Sequence, residues 1–305
     1  MGILLTTASA VVVHNPLSPY ARGMLAGMRS EGTRVVAGVM PGHGGGQHED
    51  TPLFDTMAEA VARTGANTAV LYVPAAGVED AIVETVDAGI KLLMVAAEYV
   101  PVHDAMKALA YARAHDAWVI GPNSVGMIAP GLGMLSGLGS GFALPGPVGV
   151  ISRSGTMALT TMRVLTSSGL GQSSVVSIGG DTVIGRNPVE YARLFNEDPA
   201  TRVIVMVGEM GGKKEYQLIE ALPAISKPVV ALILGRFSPA QRRMGHAGAL
   251  VNERAESAQS KREALQAAGV HVADDPYHLA ELVRGLLDAP AQQSPSAVKA
   301  AGAPT

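Results

Sequence analysis

One histidine, one glutamate and two strand-to-helix turns stand out by residue type and spacing. In RRMGHAGALVN (Arg242–Asn252), His246 sits among small residues: Gly245 and Gly248 clear space around it, and Arg242 and Arg243 lie close by. Two guanidiniums near one imidazole suit the handling of an anion; a solvated loop histidine fits the same spacing. In VIVMVGEMGG, Glu209 stands at the carboxyl end of a very apolar run, the edge of an open α/β sheet where ligands bind. It could serve a ligand, cap the following helix, or orient a histidine by accepting a ring N–H. In VGVISRSGTMALTTMRVL, a strand gives way to a helix at Ser152, Ser154, Gly155 and Thr156. Amides at a helix start lack internal partners and carry the positive end of the dipole, so they bind phosphate or carboxylate. Ordinary N-capping by Ser154 or Thr156 is the competing reading. In VSIGGDTVIG, paired glycines beside Asp181 allow close backbone approach to a ligand, or a tight turn capped by the acid.

Several chemistries are excluded. Cysteine is absent, which removes disulfides, thiolate metal sites and cysteine nucleophiles together. A G-x-S-x-G elbow fails at Ser154, because Ser152 stands where the first glycine belongs. GEMGGKKE is not a phosphate loop, since Lys213 occupies a position that must be glycine. No G-x-G-x-x-G follows the first apolar run, and no H-E-x-x-H spacing occurs, so no metal site is expected.

These groups need a scaffold. The chain has 305 residues, 48% hydrophobic and only 16% charged, which suits about two domains with a real core and argues against disorder. With 23 basic and 26 acidic side chains the net charge is −3. That leaves no electrostatic footprint for nucleic acid, and no basic run suits an anionic membrane. No run reaches the length of a membrane span, and the apolar start lacks a basic n-region; a cytoplasmic protein is the expectation.

Short β-branched runs alternate with helical patterns. Ala10–Val13, Val35–Val39, Thr68–Val73, Leu92–Ala96 and Trp118–Ile120 read as buried parallel strands, with helices at Tyr20–Ser30, Met57–Thr64, Glu79–Asp87 and Val102–His115. This alternation predicts βαβ units in a doubly wound sheet over residues 1–125. Residues 126–147 include the Gly/Pro-rich GLGMLSGLGSGFALPGP and read as a connector with room for a short hairpin. A second alternating set covers 148–288. Its strands are Val148–Ser152, Ser174–Ile178, Val203–Val207, Val229–Leu234 and Val270–Val272. Its helices are Thr156–Ser167, Pro188–Asn196, Lys214–Leu222, Ser257–Ala268 and Tyr277–Leu287. Residues 289–305, rich in Pro, Ala and Ser, read as a disordered tail.

The segments VVAGVMPGHGG, VIGPNSVGMIAPG, VGVISRSGT, GQSSVVSIGGD, VIVMVGEMGG, SKPVVALILG and RRMGHAGA, in this order, resemble the α subunit of succinyl-CoA synthetase, an NDP-forming acyl-CoA ligase. The resemblance runs from about residue 33 to 287. It implies an α/β chain with an N-terminal Rossmann-like CoA-binding domain followed by a flavodoxin-like ligase domain. It also implies a β subunit, in a heterodimer or heterotetramer, whose ATP-grasp domain holds ATP or GTP with Mg2+. In such enzymes the GHAGA histidine, here His246, carries phosphate. The GEMGG acid, here Glu209, binds its other ring nitrogen. Ser154, Gly155 and Thr156 cradle the phosphate, which passes to a small carboxylic acid before CoA attacks the acyl phosphate. Asn123 and Ser124 of GPNSVG lie where the family approaches the acid.

Two regions depart from the family. The first turn is HNPLSPYAR, without glycine, where a Gly-rich loop normally surrounds the CoA nucleotide. Pro16 and Pro19 remove two backbone donors there, so Ser18 and Arg22 are the expected CoA contacts, together with His43, which replaces the usual Lys in PGHGG. Val125 replaces a proline, and Leu159 a tyrosine. GPNSVG and ESAQSKREAL also resemble ATP-citrate lyase and citryl-CoA synthetase. These changes point to a malate-like or citrate-like acid as an alternative to succinate, or to an acyl acceptor other than CoA. A non-catalytic subunit that senses acyl-CoA or organic acids is the reading from another class.

Overall fold

The computed structural model describes residues 2–139, 141–238, 245, 246 and 248–289. Unbroken apolar runs cannot leave a strand face in water, so both faces must be covered by helices. Two sheets are built this way. The first half runs β1 (Ala10–His14), α1 (Pro19–Ser30), β2 (Arg34–Val39), β3 (Gln47–His48), β4 (Thr51–Phe54), α2 (Met57–Thr64), β5 (Thr68–Leu71), α3 (Val78–Asp87), β6 (Leu92–Val95), α4 (Val102–Ala114) and β7 (Trp118–Ile120). Its strand order is β3-β4-β2-β1-β5-β6-β7, and every pairing is parallel except the short β3–β4. Val11, Val12 and Val13 of the central strand are wholly buried.

The second half runs β8 (Gly126–Ala129), β9 (Gly133–Ser136), β10 (Pro145–Ser152), α5 (Gly155–Ser167), β11 (Gln172–Ser177), α6 (Pro188–Glu197), β12 (Val203–Glu209), α7 (Lys214–Ala221), β13 (Val229–Leu234), α8 (Ala258–Ala267), β14 (His271–Ala273) and α9 (Pro276–Asp288). The strand order is β14-β13-β12-β10-β11-β8-β9, parallel from β14 to β11. Phe195 of α6 is fully buried over Gly149 of β10, where a Cβ would collide with its ring. Truncating such a ring costs about 3–5 kcal/mol.

Where the elements differ from the sequence reading, the reasons are local. Helices α1 and α9 begin one residue early because Pro19 and Pro276 occupy their first turns, behind the capping side chains of Ser18 and Asp275. Strands β3 and β4 escape the sequence pattern because Pro52 interrupts a short run; the proline stands opposite the two-residue β3, ahead of the Leu53 and Phe54 that pair with β2. The stretch read as a connector contains the β8–β9 hairpin, and β8 pairs antiparallel with β11. Both four-residue strands are buried throughout, so they lack the alternation that marks a half-exposed strand. The tail from residue 290 lies outside the described residues, as do Arg242 and Arg243.

Each sheet reverses its winding once. In the first, the chain leaves β1 toward β2 and later returns to β5 on the other side; in the second, β11 and β12 flank β10. Ligands in open α/β sheets bind beyond the carboxyl ends of strands at such points. The two sheets turn these edges toward one another. Gly185 N–H donates to Gly121 C=O at 2.8 Å, and Asn123 Nδ2 donates to Asp181 Oδ1 at 2.9 Å. Arg113 of α4 reaches Glu190 of α6 at 3.0 Å.

Candidate active site

Beyond the carboxyl ends of β10, β12 and β13 lies a cavity of about 260 Å3. Its lining includes Ser154, Glu209, Met210, Gly235, His246 and Ala249. The residues singled out at three separate places in the sequence therefore share one space. Glu209 is the last residue of β12, and its carboxylate is nearly inaccessible. His246 is brought to it by the glycine-flanked loop, and Nδ1 lies 2.8 Å from Glu209 Oε2. A carboxylate only accepts, so Nδ1 carries the proton and Nε2 is the free lone-pair nitrogen. Among the described residues Nε2 has no hydrogen-bond partner, and 28% of the side chain is open. The Glu209 hydrogen bond holds His246 above the ordinary imidazole range, against burial and the nearby Arg153 charge. The ring lies against Gly180, where a Cβ would run into it, while Gly179 is packed against the Pro122 carbonyl.

Ser154 caps α5, its Oγ accepting from Met157 N–H at 3.3 Å. The capping reading and the anion reading are thus compatible. The hydroxyl takes one amide, and the amides of Gly155 and Thr156 have no acceptor among the described residues. Gly155 is pressed against Val125, whose Cγ1 would lie 2.7 Å from an added Cβ.

Three charged residues that spacing did not single out stand behind Glu209. Arg153 is 1% exposed and places NH2 3.1 Å from Glu209 Oε1 and NH1 3.3 Å from Glu215 Oε1. Lys261, fully buried, pairs with Glu215 and donates to the carbonyls of Glu209 and Gly211 at 2.8 and 2.7 Å. Burial alone would raise the Glu215 carboxyl, but Arg153 and Lys261 outweigh it and hold Glu215 low. The sequence did carry a signal: Arg153 is the one charge inside a buried turn, and Lys261 falls on the inward face of an otherwise polar helix. Nearby, burial lowers Lys214 to about 8. Its Nζ donates to Thr182 C=O at 3.0 Å.

A second cavity, about 620 Å3, occupies the reversal point of the first sheet, between the ends of β1 and β5. Asn15, Ser18, Tyr20, Tyr72, Glu98 and Asn123 are among its walls. Ser124 also lines it, but its hydroxyl is committed to structure: it donates to Ser177 C=O and accepts from Gly126 N–H at 2.8 Å. Ser18 Oγ caps α1 by accepting from Ala21 N–H at 3.2 Å. Arg22 and His43 are exposed and do not line this cavity. The loop bearing His43 is tied down by Asp55 Oδ1, which accepts from Gly42 and Gly44 N–H at 2.7 and 2.9 Å. Asp181 lines neither cavity but interacts with a residue of each. It bonds to Asn123 on one side and feels the His246 charge on the other, and burial raises its carboxyl. Among the described residues no group of three or more His, Asp or Glu is placed to hold a metal, and no helix is long and apolar enough to cross a membrane.

A CoA binding domain model matches residues 24–99, and a CoA-ligase model matches residues 151–271. The α2 subunit of succinate–CoA ligase [ADP-forming] from Archaeoglobus fulgidus is 42% identical over 287 residues, covering 94% of this chain and 100% of that subunit. The malate–CoA ligase α subunit of Methylorubrum extorquens is 37% identical, covering 94% and 99%. Among solved structures, Methanosaeta concilii ATP citrate lyase with (3S)-citryl-CoA aligns with a TM-score of 0.85 at 27% identity. That alignment covers 93% of this chain and 50% of the lyase, so this chain spans half of the larger protein. The fold is that of an acyl-CoA ligase: a CoA-binding domain followed by a ligase domain. The chain belongs to the family of succinate–CoA ligase α subunits, which are acid–thiol ligases.

Proposed function

We propose that the chain is the α-type subunit of a carboxylate–CoA ligase that works through a phosphohistidine at His246. The observation that carries this is the division of labour on one imidazole. Nδ1 is engaged by a buried carboxylate, and Nε2 is left open beside the start of α5. A nucleoside triphosphate with Mg2+ belongs to an ATP-grasp β subunit. Its γ-phosphoryl forms an N–P bond at Nε2 as the bond to the departing diphosphate breaks. As Nε2 gives up its lone pair the ring becomes cationic, and Glu209 stabilises that charge. The amides of Gly155 and Thr156 face the phosphoryl oxygens at the positive end of α5.

The phosphoryl group then passes to a substrate carboxylate oxygen, restoring the neutral ring and giving an acyl phosphate. The CoA sulfur attacks the acyl carbon, phosphate leaves, and the thiol proton goes to solvent or the departing phosphate. Splitting one transfer into three lowers each barrier. The cavity at the end of β1 and β5 suits the acid and the CoA arm, with Asn123 and Ser18 among its lining residues. Arg22, exposed in the first turn of α1, and His43, exposed after β2, serve the CoA phosphates in this reading. Relatives named for succinate and malate support a small dicarboxylate as the acid in this reading, with a citrate-like tricarboxylate as the larger variant.

The test is incubation of the chain, its β partner and Mg-nucleotide carrying a labelled γ-phosphate. Acid-labile, base-stable label on wild type and none on His246→Asn is the expected result. Labelling that persists in His246→Asn refutes the reading, and no labelling of wild type turns it toward a sensing subunit.

A further inference from the structure

Glu209 is restrained on every side but one. Its backbone N–H points to Glu215 Oε1 at 3.3 Å and its carbonyl accepts from Lys261 Nζ, while Oε1 is held by charge alone: it faces Arg153 NH2 at 3.1 Å as an ion pair and has no hydrogen bond among the described residues. Only Oε2 is left, and it meets His246. Arg153 is itself fixed. Its other arm reaches Glu215 and the Gly211 carbonyl at 3.2 Å, and its own N–H donates to Val207 C=O. Gly248, two residues beyond His246, lies so close that an added Cβ would sit 2.9 Å from Arg153 NH2. The loop that delivers the imidazole therefore rests on the same guanidinium that holds its partner.

We infer that Arg153 is a positioning residue for His246. Its two-pronged guanidinium, anchored through Glu215, turns the Glu209 carboxylate so that Oε2 meets Nδ1 and Nε2 remains the nucleophilic nitrogen. Two cations and two carboxylates balance in this cluster, Arg153 and Lys261 against Glu209 and Glu215. If the cluster served folding alone, apolar or neutral replacements could stand in for a charge pair with no consequence for the ring. If Arg153 sets the carboxylate's rotation, the ring's tautomer follows it. Among the described residues the charged groups facing His246 are Glu209 from β12, Arg153 after β10 and Asp181 after β11.

The rate consequence rests on the phosphohistidine reading; the tautomer does not. Two variants of the full chain separate clamp from cement. Arg153→Lys keeps the charge and loses the fork. Arg153→Met combined with Glu215→Gln removes one cation and one anion and leaves Lys261 against Glu209. Nitrogen-15 NMR of His246, recorded above its titration, reads the tautomer. The Nδ1–H form is expected in wild type. The Nε2–H form should appear partly in Arg153→Lys and predominate in the double variant. Labelling of His246 with the β partner should slow on the order of 10–100-fold, as for other orienting partners, at unchanged KM for nucleotide. Wild-type tautomer populations in Arg153→Lys overturn the inference even if the double variant fails to fold. If wild-type His246 takes no phosphate, the proposed function fails, and the tautomer result still decides the clamp.

Discussion

Replacing Glu209 by glutamine keeps the shape of the side chain and removes its charge, and the structure fixes two consequences. The first is at the ring. The Glu209 hydrogen bond is the leading reason His246 is raised, with burial and Arg153 opposing it. A neutral amide leaves that opposition dominant, so the imidazole titrates lower. The second is in the cluster. Arg153, 1% exposed, loses one of its two carboxylates at a 3.1 Å contact. Removing one partner of a buried pair costs about 3–5 kcal/mol. For a domain of this size each kcal/mol moves the melting temperature by about 2–4 °C, so Tm should fall by about 10 °C. The signs also couple. A histidine raised in the folded state contributes stability that is full below its ordinary value of 6.5 and is lost as pH rises through the folded value. Wild type therefore gains stability from this group as pH falls from alkaline toward about 6, and Glu209→Gln should gain less. Melting curves across that range, with an NMR titration of His246, measure both. An unchanged imidazole midpoint together with an unchanged Tm would refute the reasoning.

Two further outcomes follow from the same cavity. Gly180→Ala puts a methyl where the His246 ring lies; labelling of His246 should be lost while calorimetric CoA binding persists, and retained labelling would mean the ring can move aside freely. Ser154→Ala removes the cap of α5, so stability should drop by about 1 kcal/mol. Phosphoryl transfer should slow as well, and a stability loss with unaltered transfer would confine Ser154 to capping.

Strand-helix alternation was legible because buried parallel strands are written as short β-branched runs, as in Val11–Val13 and Val229–Leu234. The hairpin was harder, since Met127, Ile128, Met134 and Leu135 are buried on both faces and leave no period. At the site, His246, Glu209 and Ser154 were readable because glycines and strand ends mark them. Arg153, Glu215 and Lys261 were not singled out, because three separated segments supply one cluster: the apolar setting of Arg153 and Lys261 signals a partner without saying which carboxylate it is. The Ser124 hydroxyl shows the converse: a motif position near the cavity whose side chain is used up by Ser177 and Gly126.

The hairpin also governs how such proteins can be recombined. Strand β8 covers the edge of β11, and Met134 of β9 exchanges hydrogen bonds with Thr33 Oγ1, donating at 2.8 Å and accepting at 2.7 Å. The glycine-rich stretch looks like a natural splice point, yet a chimera joined at Pro147 would take the hairpin from one parent and β11 from the other. Any mismatch would bare an apolar edge with unpaired N–H and C=O groups, an invitation to intermolecular pairing. Exchange of nucleotide-arm specificity between relatives should tolerate a junction only ahead of Gly126, where the cassette carries its own edge with it.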